Sequence, residues 1–412
     1  MALRRPSRGA GLRAGLAVCV LAAGLLSSCG DDGVRGTATE ASSPGPASTS
    51  PAAAAPASTG AAAAPTAGTA QARVAAALAG MDRRHQVSQL FVVGVKLANL
   101  SAGDTLVRQG VGGVFLSGRS TAAATALGAT TARWAGAAPG PRPWVAVDQE
   151  GGLVQTLSGP GFAKLPTALA QGALPAGQLA ALADGMGGSL HTAGVTVDLA
   201  PVADVVPPGT EKANPPIGAF SRQYGGTAAA VTPAAGAVVG GLAQHRVTAT
   251  LKHFPGLGRV QANTDTSPTV VDTTTTAGDD QVAAFGTLAR SASPFVMMSS
   301  ATYTKLDPSS PAAFSSAVVT DLLRHRLGFS GVVISDDLGS AKVVQAVPAG
   351  ERAVRFVAAG GTLVLTVTPT LLPAMIDAVV ARAAADPVFS AQVDAAVRTS
   401  LAAKERAGLL GS

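Results

Sequence analysis

The sequence predicts an α/β protein: a (β/α)8 TIM barrel formed by a single domain over residues 72–412. Three features point there. Eight short runs rich in apolar and β-branched residues recur along this region. Longer Ala-rich stretches of helical character alternate with them. Polar side chains gather at the carboxyl ends of several runs, the face on which barrel proteins build their sites.

The runs, in order, are Gln89–Val95 (QLFVVGV), Gly113–Ser117 (GVFLS), Trp144–Asp148 (WVAVD), Thr196–Pro201 (TVDLAP), Thr248–Phe254 (TATLKHF), Phe295–Ser300 (FVMMSS), Gly331–Asp337 (GVVISDD) and Thr362–Val367 (TLVLTV). Each is apolar along its length rather than alternating, which predicts strands buried on both faces, as in a parallel sheet. Helical stretches lie between them, among them Ala122–Ala138, Gln178–Ala193, Ala229–Gln244 and Ser316–Leu327. Eight such β/α units predict a closed barrel. A doubly wound open sheet is the competing arrangement, but no Gly-rich dinucleotide fingerprint follows the first run.

The front of the chain is of another kind. Arg4, Arg5, Arg8 and Arg13 form a basic start, and an apolar stretch follows from about Ala14 to Leu26. It is short for a membrane span and suits a signal peptide over residues 1–28. Leu26-Ser27-Ser28-Cys29 resembles the lipobox of bacterial lipoproteins, which implies cleavage before Cys29 and lipidation of its thiol. Residues 29–71 are mostly Ala, Ser, Thr, Pro and Gly, too poor in large apolar side chains to offset the entropy of ordering. They read as a disordered tether between a lipid anchor and the domain, and place the domain outside the cytoplasm. Cys19 leaves with the signal peptide, so neither a disulfide nor a cysteine metal site is expected. Four of the 30 basic residues lie in the leader, leaving 26 against 24 acidic and a mature charge of about +2. With no basic stripe and 4% aromatic residues, nucleic-acid binding is not expected. The domain is expected to act as a monomer.

The strand ends carry the chemistry. Asp148, Asp198, Lys252-His253, Ser299-Ser300 and Asp336-Asp337 converge on one rim if the barrel forms. One charged strand end could close the barrel as an ion pair; several on one rim are harder to assign to structure. The stretches DQEGG (148–152), DLAPVAD (198–204), NPPIGAFSR (214–222), KHFPGLG (252–258), MMSSATYTKLD (297–307) and GFSGVVISDDL (328–338) resemble, in order, those of family 3 glycoside hydrolases. The likeness is strongest to the single-domain β-N-acetylglucosaminidase branch and runs from about Val87 to the C-terminus.

That resemblance implies a retaining mechanism through a covalent glycosyl-enzyme, with no metal or organic cofactor. It puts the nucleophile at Asp336 and sugar-binding positions at Asp148, Arg222, Lys252 and His253. A carboxylate can grip vicinal hydroxyls, while Arg, Lys and His donate to hydroxyls and an acetamide. The residues alone leave other roles open: a helix N-cap for Asp336, although Asp337 suits the cap better, and a packed, hydrogen-bonded histidine for His253.

The departure that bears on the acid/base lies in the loop after the Lys-His run. Where the branch carries Asp-Ser-His, with the His as acid/base, this chain has Asn263-Thr264-Asp265. The histidines are His85, His191, His245, His253 and His325, and only His253 belongs to a strand end. Two readings stand. Asp265 is the acid/base, with its pKa raised by partial burial and by Asp336. Alternatively it is a turn residue, and the barrel is a catalytically impaired glycan-binding lipoprotein. Arginines usual after DQEGG are Leu153 and Thr156 here, the His after the sixth strand's Met run is Ser300, and an expected Asp is Thr362. These changes bear on specificity for N-acetylglucosamine and admit a β-glucosidase-like enzyme. The favoured expectation is an exo-β-glycosidase acting on terminal β-linked N-acetylhexosamine of cell-wall or other glycans.

Overall fold

The computed structural model describes residues 67–411. The expected signal peptide, Cys29 and the tether up to residue 66 lie outside the described residues. The first helix, Ala67–Ala79, starts slightly ahead of the domain boundary expected at residue 72, and its Arg73 pairs with Glu405 of the last helix, Pro387–Arg406.

Eight parallel strands form one sheet: β1 (Phe91–Lys96), β2 (Gly113–Ser117), β3 (Trp144–Val147), β4 (Val197–Asp198), β5 (Thr248–Phe254), β6 (Phe295–Met298), β7 (Val333–Ser335) and β8 (Val364–Thr366). Their spatial order is β7-β6-β5-β4-β3-β2-β1-β8. A parallel bridge between Ile334 and Leu363 joins β7 to β8 and closes the ring. Each expected run supplies one barrel strand. Helices follow the strands on the outside, including Ser101–Arg108, Ala124–Ala137, Ala176–Thr192, Ala228–Gln244, Asp280–Leu288, Ala349–Ala358 and Leu372–Ala385. The expected helix 316–327 is present as Ala317–Arg326, but it is π-helical.

Both faces of the strands are buried, and successive residues serve different cores. Val92, Phe115, Ala146, Val197, Met297, Ile334 and Leu365 pack inside the barrel. Their chain neighbours Val93, Val114, Leu116, Val145, Val147, Val296, Val333 and Val364 pack outward against the helices. This division explains the unbroken apolar runs: alternation persists in space, but both directions are dry.

The main difference from expectation is β4, which is two residues long rather than six. The Asp198 carboxylate takes the backbone N–H of Gln149 at 3.0 Å, and Pro201 has no N–H to give. The segment still lines the barrel, because Thr250 N–H donates to the Ala200 carbonyl at 2.8 Å and Lys252 N–H to that of Pro201 at 3.3 Å.

Lys404, on the last helix, is fully buried, and its Nζ donates to Gln89 Oε1 at 2.7 Å. Burial lowers its pKa from 10.5 to about 7. Between those values the unfolded chain holds a proton that the folded chain has released, so this group makes stability rise with pH. Chemical denaturation from pH 8 to 10 is expected to show this contribution as a slope of up to about 1.4 kcal/mol per pH unit that Lys404→Met lacks. Equal slopes for the two proteins would contradict it.

Candidate active site

The C-terminal mouth of the barrel opens into a cavity of about 290 Å³. Asp148, Arg222, Lys252, His253, Asp265 and Asp336 all line it. The structure therefore brings together all six positions, from loops or strand ends of β3, β4, β5 and β7, whereas Asp198, Ser299 and Ser300, also expected on this rim, are buried and do not line the cavity. Phe115, Leu199, Met297 and Leu365 form its apolar floor.

Asp148 follows β3 directly, and the next turn is a hairpin of Gln149–Gly151 with Val154–Gln155. Gly151 sits at φ 101°, and a Cβ there would lie 2.3 Å from the Pro166 carbonyl oxygen. Glycine is thus required both by the backbone and by the close approach. The hairpin aims Glu150 inward, where it is 3% exposed.

Glu150 is the hub that sequence reasoning left unassigned, although it lies within the quoted DQEGG. Arg222 grips it with two bonds, Nε to Oε2 at 2.8 Å and Nη2 to Oε1 at 2.6 Å. Lys252 Nζ lies 2.7 Å from Glu150 Oε1 and donates to Asp148 Oδ1 at 2.6 Å. Burial alone would raise the Glu150 pKa; the guanidinium of Arg222 and the ammonium of Lys252 overcome it and hold the group at about 2. Burial also works against the Lys252 charge, but Asp148 and Glu150 outweigh it and raise the lysine's pKa. The two cations are thus charged, oriented and largely neutralised. Arg222 also gives Nη1 to the Pro216 carbonyl at 2.8 Å, which fixes the plane of the fork.

His253 is set by a second unassigned residue, Asp204. Its Nδ1 lies 2.7 Å from Asp204 Oδ2, and Asp204 Oδ1 accepts the N–H groups of His253 at 3.1 Å and Leu257 at 2.7 Å. The carboxylate fixes the ring by accepting a hydrogen bond from Nδ1–H, leaving Nε2 as the free nitrogen. Asn214 explains the neighbouring motif: its amide donates to the carbonyls of Leu257 and Val260, both at 2.8 Å, tying the loop after β4 to the loop after β5. Asp198 lies buried below the mouth, raised to about 8 by burial although the Gln149 N–H pulls it down.

The two remaining carboxylates differ in setting. Asp336, at the end of β7, accepts one hydrogen bond, from Asp337 N–H at 2.8 Å. Asp337 takes the structural role instead, accepting from Gly339, Ser340 and Val367 N–H groups. Asp265 stands on the loop after β5, its residue exposed at the cavity rim, with the carboxyl set among the surrounding loops. That partial enclosure, and next the negative charge of Asp336, raise its pKa to about 6.

The usual arginine positions are empty of charge in space as in sequence. Leu153 is 61% exposed and Thr156 is buried, and neither lines the cavity. Tyr303 proves structural, its hydroxyl donating to the Gly256 carbonyl at 2.9 Å under the β5 loop.

An eight-stranded parallel barrel whose C-terminal mouth sets two interacting carboxylates over a polar pocket has the features of a barrel glycosidase. Residues 83–402 match the glycosyl hydrolase family 3 N-terminal domain, and the chain belongs to that family. It is 34% identical over 323 residues to the β-hexosaminidase LpqI of Mycobacterium tuberculosis, covering 74% of this chain and 78% of that protein. It is 32% identical over 306 residues to a β-hexosaminidase of Xanthomonas campestris, covering 71% and 88%. A solved β-N-acetylhexosaminidase from Beutenbergia cavernae is 45% identical, with a TM-score of 0.76 over 79% of this chain and 98% of that one.

Proposed function

We propose that this glycoside hydrolase is a retaining exo-β-N-acetylhexosaminidase, with Asp336 as nucleophile and Asp265 as acid/base. The observation that carries the reading is the pair itself: two cavity-lining carboxylates, one of them raised to about 6 partly by the charge of the other. A carboxyl raised in this way suits the acid, which must hold a proton as the leaving group departs. Relatives named β-hexosaminidase support the choice of sugar.

In the first step an Asp336 oxygen attacks the anomeric carbon as the glycosidic bond breaks, and Asp265 passes its proton to the departing oxygen. In the second step Asp265, now ionised, takes a proton from water, and the hydroxide oxygen displaces Asp336 from the anomeric carbon. Asp148, Lys252, Arg222 and His253 Nε2 hold the sugar's polar groups. A pocket of only about 290 Å³ at the barrel mouth favours a terminal residue, hence exo action. The expected leader, Cys29 and tether support a lipid-anchored domain outside the cytoplasm acting on cell-wall or other surface glycans. No helix among the described residues is long and apolar enough to cross a membrane.

Absence of the usual arginines from the pocket favours a second sugar reading, a glucoside-type substrate lacking the acetamide. A panel of aryl β-glycosides separates the two. Preferred hydrolysis of the N-acetylglucosaminide supports the first reading, and preferred hydrolysis of the glucoside supports the second. Glycan binding without turnover of any member would contradict both and identify a receptor.

A further inference from the structure

We propose that Asn263 is a positioning residue that presets Asp265 over the bond to be broken, an inference that rests on the acid/base reading of Asp265. Asn263 Oδ1 accepts the backbone N–H of Asp265 at 2.8 Å. Its own carbonyl accepts the N–H groups of Thr266 at 3.2 Å and Ser267 at 2.9 Å. A side-chain turn and a backbone turn thus close the loop on itself from one residue. Replacing the amide removes the first turn and frees the peptide that carries Asp265.

The same loop is tied to the one that leaves β7. Lys342 N–H donates to the Asp265 carbonyl at 3.2 Å, and Val343 N–H to that of Thr264 at 3.1 Å. Thr264 is 3% exposed at this junction. The β7 loop is fixed in turn: Asp337 holds Gly339 and Ser340, and Arg352 donates to the carbonyls of Leu338 at 2.8 Å, Gly339 at 3.0 Å and Val347 at 2.7 Å. Asp265 and Asp336 therefore hang from one hydrogen-bonded frame. An amide suits position 263 because it accepts the same bond as a carboxylate without adding negative charge beside Asp265.

The test uses the full-length protein with Asn263→Ala, Asn263→Asp and Asp265→Asn, assayed on a phenyl glycoside and a dinitrophenyl glycoside of the preferred sugar. Misplacing a catalytic group by about 1 Å can cost on the order of 100-fold. Asn263→Ala is expected to lower kcat/KM, which reports the first step, about 10- to 100-fold on the phenyl glycoside, whose departure needs the acid, and less than about threefold on the dinitrophenyl glycoside. The second substrate also reports that the variant is folded. Asn263→Asp is expected to restore most of the phenyl rate at low pH and to move the basic limb of the kcat/KM profile to higher pH. A loss equal on both substrates, or no loss, while Asp265→Asn remains selective for the phenyl glycoside, overturns the role of Asn263 alone. If Asp265→Asn shows no such selectivity, the acid/base reading falls and this inference with it.

Discussion

Replacing Asp336 with Asn is expected to lower kcat by on the order of 10⁴-fold or more on every glycoside, including one with a dinitrophenolate leaving group. An amide cannot form the glycosyl ester, and an activated leaving group does not relieve the need for a nucleophile. The fold should survive. The side chain accepts a single hydrogen bond, from Asp337 N–H, and the amide oxygen of Asn can keep it. The structural burden at this strand end falls on Asp337, which joins the end of β7 to Val367 beside β8. Initial rates on the dinitrophenyl substrate, with a melting curve as control, check this. Substantial residual turnover at unchanged Tm would remove Asp336 from the nucleophile role.

The second large effect is at Asp265. Asp265→Asn is expected to cost about 10²- to 10⁴-fold in kcat/KM on a phenyl glycoside and far less in kcat/KM on a dinitrophenyl glycoside, because only the former needs a proton as it leaves. The pH dependence follows from the same group. Asp265 must hold its proton in the first step, and partial burial together with Asp336 places its pKa at about 6. The rate on the phenyl substrate should therefore fall as pH rises through about 6. The limb belongs to the interacting pair rather than to one residue. A wild-type profile flat from pH 5 to 8 on that substrate would contradict the assignment.

The barrel was legible because its physics is repeated. Every strand had to be apolar on both faces, so eight separate runs gave the same signal, and Thr248–Phe254 and Gly113–Ser117 match residue for residue. β4 was overextended because composition does not reveal that Asp198 diverts to Gln149. The sugar-holding positions came through the resemblance of motifs, and the structure gathers them on one cavity. Their supports did not come through. Glu150 and Asp204 stood inside quoted motifs, but their partners Arg222 and His253 lie 72 and 49 residues away in sequence. Spacing along the chain carries no trace of such pairs. A signal was nonetheless available: a lysine and an arginine buried at a barrel mouth need carboxylate partners, and Glu150 stands beside Asp148 in the same motif. The hydrogen bond from Asp265 N–H to Asn263 is local, and the Asn-Thr-Asp turn chemistry could have announced it.

The central claim is that Asp336 forms a covalent bond to the sugar. The direct measurement is mass spectrometry of the protein treated with an activated fluoro-sugar glycoside, whose ring fluorine slows the second step and lets the intermediate accumulate. The account predicts one added glycosyl mass, mapped to Asp336 in the peptide spanning the end of β7 and lost slowly in water. Turnover of ordinary substrate with no added mass, or a label on another carboxylate, would contradict it.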